Sequence, residues 1–273
     1  MIQNSPVIDI SHWNTVTDWH AIRASGVIGV IHKFSQGTGY RDPMFDEARA
    51  GCKVAGLLFG RYHFAEGSDT MSQVRNFLAD YEDGELLALD WEDNTSSTGT
   101  MSLSQAVTFV TEVEGLTGQW PALYSGHVVK EALGAPNATL SKCRLWLAQY
   151  ADQPVCPPGW DKPWLWQWTD EGKNPGVTGN VDLDAYEGSE ATLRAEWCGL
   201  DRPPLLVPER PARPERHPRP PTDHGDVIPS EYDYISLIVP GSVEGGMLTL
   251  RVPAGVGLLI HTTGDRRDIV VSG

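Results

Sequence analysis

The sequence predicts an α/β fold: a TIM-like (β/α)8-type barrel with helices reduced in its last third, followed by a small C-terminal β-rich segment. Three observations predict it. Short apolar runs recur through residues 1–200, of the kind shown by strands buried on both faces. Helical patterns separate the early runs, and such alternation builds a parallel sheet with right-handed crossovers. The late runs are separated by Pro, Gly and Asp with no helical pattern between them. A doubly wound open sheet is the competitor. It calls for a Gly-rich phosphate turn after the first strand, and Ile10-Ser11-His12-Trp13-Asn14 is no such turn.

The runs are Val7–Ile10, Val27–Ile31, Leu57–Tyr62, Leu86–Leu89, Ala122–Tyr124, Leu145–Ala148, Trp164–Trp168 and Val181–Leu183. Thr17 or Asp18 caps a first helix ending near Gly26. Asp42-Pro43 opens a second, with Asp as N-cap and Pro at N1. Ser68–Asp83 is a third. Ser102-Leu103-Ser104-Gln105 is a capping-box pattern opening the run AVTFVTEVEGL. No helix is expected between Tyr150 and Trp164, or between Trp168 and Val181.

At 273 residues the chain has room for one large domain and an appendage. Residues 1–200 form the expected barrel. Residues 201–226 read as a linker: the stretch from Asp201 to His224 holds eight prolines and five arginines, which favour an extended, solvated spacer. Residues 227–273 read as a small β-rich tail, with strands in YDYISLIVPG, GGMLTLRVP, GVGLLIHTT and RDIVVSG. A tail that small is expected to contact the first domain, another protein chain or a cell wall.

The net charge is −15. Residues 1–200 carry 13 basic and 26 acidic side chains, a net of −13, so the acidity belongs to the large domain. An acidic chain without a basic stripe argues against nucleic acid as partner. No apolar run approaches the roughly 18–20 residues of a membrane helix, so no membrane insertion is expected. The start, MIQNSPVIDISHWN, has no basic stretch followed by an apolar one, and cytoplasmic synthesis without a signal peptide is expected. Cys52, Cys143, Cys156 and Cys198 lie far apart and read as free thiols, with a Cys143–Cys156 bridge as the alternative.

In such barrels the chemistry sits where strands end and loops begin. Those positions hold Asp9, Lys33, Tyr62-His63, Asp90-Trp91-Glu92-Asp93, Tyr124, Gln149-Tyr150, Gln167-Trp168 and Asp182. Acids at the tips of apolar strands need partners or a function. Asp90 and Glu92 are the sharpest feature, because side chains two apart on a strand share a face. Two close carboxyls repel, which raises one pKa and leaves a proton donor beside an anion. Glycosidic cleavage uses such a pair.

The motifs DISHWN, VIHKFSQGTGYRDPMF, LLFGRYHFA, LLALDWED, PALYSG, LWLAQY, WLWQWT and NVDLDAY, in that order over roughly residues 5–190, resemble glycoside hydrolase family 25. These are lysozymes (muramidases) of phages, bacteria and some fungi. The resemblance implies a barrel with reduced late helices. It also implies hydrolysis of the β-1,4 bond between N-acetylmuramic acid and N-acetylglucosamine in peptidoglycan glycan strands, with no metal or organic cofactor. Carried over by motif, the acids are Asp9, Asp90, Glu92 and Asp182. Glu92 would be general acid and later base, Asp90 would orient the substrate acetamido group or stabilise charge, and Asp9 and Asp182 would tune Glu92 and bind hydroxyls. Retention with acetamido participation follows from the same resemblance, while the expected absence of a signal peptide and the single barrel suit a phage endolysin, with a bacterial lysozyme exported by another route as the rival.

Two departures stand out. Gln36 in KFSQG replaces a Glu common in relatives, and Asp184 in VDLD replaces a common Asn or Ser, leaving open whether Asp182 or Asp184 faces inward.

Tyr62, Tyr124, Tyr150 and Trp168 are expected as stacking platforms for sugar rings, with Gln167 and Lys33 as further substrate-binding groups. Trp164, Trp166 and Trp168 alternate along one strand, and Trp13 and Trp91 are expected to be structural or to support the residues that line the site. His63 is expected to orient an acid. His12, His32 and His63 form no compact HxH or HExxH pattern, so a metal hydrolase is disfavoured. Ser11 and Ser125 lack a nucleophile-elbow context. The remaining alternatives are a chitinase-like glycosidase and a non-catalytic wall-binding or scaffold protein.

Overall fold

The computed structural model describes residues 5–199 and the strands Tyr234–Val239 and Gly257–Thr262. The chain divides into two compact units, Met1–Glu209 and Arg210–Gly273. In the second, Tyr234–Val239 and Gly257–Thr262 pair in parallel, Tyr234 opposite Gly257. The linker read at 201–226 and the strands read in GGMLTLRVP and RDIVVSG lie outside the described residues.

The first unit is a closed barrel of eight strands: β1 (Val7–Ile10), β2 (Gly29–Gln36), β3 (Leu58–Phe64), β4 (Leu86–Asp90), β5 (Ala122–Ser125), β6 (Leu145–Ala148), β7 (Leu165–Gly172) and β8 (Val181–Ala185). Strands β1 to β6 pair with their successors in parallel, and β1 also pairs in parallel with β2 alone of its early neighbours. Strand β8 pairs antiparallel with both β7 and β1 and closes the ring. The reversal has a local cause. The segment 173–180 is too short for the crossover of a dozen or more residues that a parallel return needs, so the chain turns back as a hairpin. Its tip pairs Val177–Thr178 with Thr15–Val16 after β1.

Helices α1 (Trp19–Ala24), α2 (Phe45–Ala55), α3 (Thr70–Phe77), α4 (Leu103–Thr117) and α5 (His127–Ala132) follow β1 to β5, and none follows β6 or β7. The helix starts obey their caps. Asp18 accepts from the Ala21 amide, Asp69 from Ser72, and Ser102 with Gln105 completes a capping box, each worth about 1 kcal/mol. Asp42 sits just before α2, whose N-cap is Met44, and accepts from the Met44 amide. Helix α3 stops at Phe77, short of the expected Asp83. The buried Arg61 guanidinium takes the carbonyls of Phe77, Ala79 and Asp80, which would otherwise continue the helix. Its charge is balanced by Glu85, whose Oε2 accepts from Arg61 Nε at 2.7 Å.

The strand faces divide the core in two. Val7, Ile31, Leu86, Ala88, Ala122, Tyr124, Trp146 and Leu165 fill the barrel interior. Ile8, Val30, Leu87, Leu89 and Leu123 pack outward against the helices. After α6 (Glu190–Glu196), Trp197 closes the end where β2 begins. Its indole donates to the Phe59 carbonyl at 2.8 Å, and its ring lies where a side chain on Gly29 would stand. That end is sealed, so the opposite end, where β1 to β7 terminate, is the open mouth.

Candidate active site

The inward face of each strand's last residues supplies the mouth. Asp9 lies next to the end of β1, Lys33 lies on β2, Tyr62 on β3, Asp90 ends β4, Tyr124 lies on β5 and Gln167 on β7. Because β8 runs the other way, its beginning carries Asp182 to the same level, as register partner of Asp9. Asp184, two residues on, shares that face one layer deeper and is fully buried. Both acids of VDLD therefore point inward, at different depths.

Asp90 and Glu92 are in hydrogen-bonding contact through their carboxyls. Asp90 is buried and Glu92 partly exposed. Burial, then the neighbouring Glu92 charge, pushes Asp90 well above the ordinary carboxyl range, while Lys33 opposes the shift. Burial also raises Glu92. One oxygen of Asp90, Oδ1, meets no N–H or hydroxyl donor among the described residues, which fits a carboxyl sharing a proton with its neighbour.

Across the mouth, Asp9 touches both Asp182 and Asp184. Burial is the main cause that raises all three; Asp182 is pushed up to about 6 and Asp184 to about 8. Gln167 organises this side. Its Nε2 donates to Asp9 Oδ2 at 2.8 Å, while its Oε1 accepts from the hydroxyls of Tyr124 at 2.9 Å and Tyr150 at 3.0 Å. Lys33 donates to Gln36 at 2.8 Å, and Gln36 donates to Glu66 at 3.0 Å. The carboxylate that Gln36 lacks is thus present nearby on Glu66.

Several expected positions need correction. Trp168 does not join the mouth. Gln167 takes the inward face of β7, strand alternation turns Trp168 outward, and its indole donates to Ser5 at 2.8 Å. Tyr62 and Tyr124 pack edge-on against Trp146, at 6.5 and 4.6 Å between ring centres, so they offer hydroxyls rather than open ring faces. Tyr150, 56% exposed, keeps an accessible ring. His63 orients no acid. It faces the helices, hydrogen-bonded to Ser35 and Gln73, and burial lowers it to about 4. Trp91 is structural, buried with its indole on the Met101 carbonyl. All four cysteines are free, so the alternative Cys143–Cys156 bridge is absent.

Two residues escaped the sequence reading. Trp146, inward on β6, donates to Asp184 Oδ1 at 2.6 Å; strand alternation around Leu145 and Leu147 was the available signal. Trp13, read as structural or as a support behind the site, is 84% exposed. It stands on the loop after β1, its ring tilted against His12 with 4.5 Å between ring centres, and His12 is held by Asp42 at 2.7 Å and the Tyr40 hydroxyl at 3.1 Å. Among the described residues, no group of three or more His, Cys, Asp or Glu side chains is placed to hold a metal ion.

The sequence profile described as "Glycosyl hydrolases family 25" matches residues 8–177, which takes in Asp9, Asp90 and Glu92 and stops before β8. The chain is 26% identical to Lysozyme M1 of Streptomyces globisporus over 212 residues, 69% of each protein. It is 30% identical to the N,O-diacetylmuramidase of Chalaropsis sp over 201 residues, 64% of this chain and 94% of that one. Among solved structures it resembles the bacterial lysozyme from Streptomyces coelicolor, with TM-score 0.64 and 27% identity over 70% of this chain and 95% of that one. The muramidase from Trichobolus zukalii gives TM-score 0.62 and 31% identity over 70% of this chain and 98% of that one.

Proposed function

The chain belongs to glycosyl hydrolases family 25, and from that membership we propose that it is an N-acetylmuramidase. It would cleave the β-1,4 bond between N-acetylmuramic acid and N-acetylglucosamine in peptidoglycan. The observation that carries this reading is the hydrogen-bonded Asp90–Glu92 pair, held at an open barrel mouth and pushed towards its protonated form by burial. Relatives named as lysozymes and muramidases supply the substrate class.

Of the two carboxyls, Glu92 is the more exposed and is the general acid. When a substrate acetamido N–H reaches Asp90, it replaces Glu92 as that carboxyl's partner, and the shared proton stays on Glu92. The acetamido oxygen attacks the anomeric carbon as the glycosidic C–O bond breaks, and Glu92 delivers its proton to the departing oxygen. Water then opens the cyclic intermediate, giving its proton to the Glu92 carboxylate. The configuration is retained. Contact between the two carboxyls supports this course, since an inverting pair stands roughly 6.5–9.5 Å apart to admit a water. Asp9 and Asp182 bind sugar hydroxyls, with Tyr62, Tyr124, Gln167 and Lys33 as polar contacts and Tyr150 as a stacking surface.

Digestion of purified peptidoglycan, followed by identification of the new reducing ends, tests the proposal. Muramic acid ends are expected. Glucosamine ends or released peptides would refute it.

Synthesis in a reducing cytoplasm and a role in lysis of a phage-infected cell complete the reading. Four unpaired cysteines support the compartment. Cells expressing the chain should lyse only when their membrane is permeabilised; lysis without permeabilisation would contradict this.

A further inference from the structure

Lys33 is a cation in a mouth of acids, and the reaction above uses it only as a polar contact. Its ammonium group lies over the rings of Phe64, at 4.9 Å, and Tyr40, at 5.6 Å, and donates to Gln36 Oε1 at 2.8 Å. Gln36 Nε2 in turn donates to Glu66 Oε1 at 3.0 Å, and Glu66 Oε2 accepts from the Thr98 hydroxyl at 3.1 Å. The chain of bonds joins the end of β2, the loop after β3 and the loop after β4, which carries Glu92. Chemistry fixes its order. An ammonium group only donates and a carboxylate only accepts, so the side chain between them must do both, and an amide does.

The ends of the chain are held in place. Gly37 has a φ of +51°, and the Glu66 carboxylate lies where a side chain at that position would stand. Asn76 on α3, a buried residue, donates to the carbonyls of Gly37 at 3.0 Å and Tyr40 at 3.1 Å, so the turn after Gln36 is fixed from behind. On the far side, the Trp91 indole on the Met101 carbonyl at 2.7 Å and the Asn94 amide on the Thr100 hydroxyl at 2.9 Å close the neck of the loop that presents Thr98.

The amide also keeps two opposite charges apart. Lys33 reaches Glu66 through Gln36 rather than by a direct ion pair. Burial disfavours the ammonium form of Lys33, and Asp90 first, then Asp42, Glu66 and Glu92, favour it. In return, Lys33 is the cation that opposes the rise of Asp90.

We propose that Gln36 and Glu66 are positioning residues: the carboxylate ties the loops together, and the neutral amide holds the Lys33 ammonium in the mouth without cancelling its charge. The catalytic consequence rests on the muramidase reading; the chain itself does not.

Two variants test it. Gln36→Glu sets two carboxylates against each other at hydrogen-bond distance and puts an anion on Lys33. Its melting temperature should fall by roughly 2–4 °C, and kcat on peptidoglycan should fall by up to about 10²-fold, the scale of a misplaced group. Gln36→Glu combined with Glu66→Gln exchanges the amide and the acid. Every bond of the chain then has a donor and an acceptor again, so the melting temperature should return. The anion still sits on Lys33, so the rate should stay down. In both variants the first ionisation of the Asp90–Glu92 pair should move to higher pH, because Lys33 no longer favours its anion. The pair's other charged neighbours, His127 on α5, Asp93 and Asp182 on β8, are common to all the proteins compared. NMR titration of the two carboxyl carbons reads that shift without substrate, and the acid limb of the rate profile should move with it. A melt that Gln36→Glu leaves unchanged, or that the double variant does not restore, would mean that the chain does not form. A double variant with the wild-type rate and titration would mean that Lys33 supplies no charge to the mouth. Each of these overturns the proposal. The melts and the titration need no turnover, so they decide the matter even if the substrate assignment fails.

Discussion

Asp9 on β1 and Asp182 on β8 are register partners across an antiparallel pair in an otherwise parallel barrel. The reversal matters for chemistry. In a parallel eighth strand, a residue next to its first position would lie at the sealed end beside Trp197. Running backwards, β8 delivers Asp182 to the rim and Asp184 to the layer beneath it. The mouth thus gathers two carboxyl groups of different construction: Asp90 with Glu92, and Asp9 with Asp182 and Asp184.

Glu92→Gln should lower kcat on peptidoglycan by about 10²–10⁴-fold, the usual worth of a positioned general acid. The fold should survive, because Glu92 lies past the end of β4 and only partly buried. Initial rates and a thermal melt check the two halves together. Near-normal turnover would remove Glu92 from the acid role.

Trp13→Ala separates binding from stability. With 84% of the residue exposed, the melting temperature should stay put. A ring fixed on His12 beside the mouth offers a flat face to a sugar further along the strand. Loss of one stacking contact, roughly 0.5–1.5 kcal/mol, should raise KM on long glycan by roughly 2- to 10-fold. A short oligosaccharide confined to the acids should show no change.

The barrel was legible because strands buried on both faces leave continuous apolar runs, and the acids were legible because they interrupt those runs at their ends. Parity was the signal left unused. Tyr62 and His63 are adjacent on β3, and Gln167 and Trp168 on β7, so only one of each pair can face the mouth. The inward parity belongs to Tyr62 and Gln167, which sends His63 to the helices and Trp168 to Ser5. Depth is a different matter. Asp182 and Asp184 share a face, and only the closure of β8 against β1 and β7 sets one at the rim and buries the other. Likewise the ring faces of Tyr62 and Tyr124 are covered by Trp146, a neighbour from another strand that no local pattern announces.

Stability should fall as pH rises from 6.5 to about 8. Asp184 goes from its ordinary 3.8 to about 8 on folding, so the native state holds a proton that the unfolded chain has released. Protonation then favours the native state, and the contribution is lost as pH climbs through the folded value. Buried His63, lowered to about 4, has the opposite sign, but its stabilisation is lost only as pH falls below 6.5. Above that point the raised acids act, and His127, raised by its hydrogen bond to Asp93, adds a contribution of the same sign. The slope should reach about 1.4 kcal/mol per pH unit for each such proton, and Asp184→Asn should flatten it. Urea melts at several pH values measure it; stability that rises over this interval would contradict the assignment.

Gly29→Ala should destabilise the barrel without touching the mouth. A Cβ at Gly29 would stand 2.4 Å from the Trp197 ring, which is fully buried and anchored to the Phe59 carbonyl. The ring has no free direction in which to yield, so the cost should be about 1–3 kcal/mol, the usual range for overpacking. The melting temperature should drop while kcat at 25 °C holds. An unaltered melt would show that the closed end is looser than its packing implies.

Salt should act on this enzyme in an order set by its own charge. Residues 1–200 carry a net −13, and bacterial wall polymers are anionic, so approach is repulsive at long range. The reach of that repulsion shrinks from about 30 Å at 0.01 M salt to about 10 Å at 0.1 M. The contacts inside the mouth are short and largely buried, and they are screened much less. Raising salt from very low values should therefore speed hydrolysis of whole walls up to a moderate optimum. Short neutral oligosaccharides, which feel no long-range repulsion, should be cleaved at a rate nearly independent of salt over the same range. A steady fall in wall hydrolysis from the lowest salt upward would mean that attraction, not repulsion, governs the encounter.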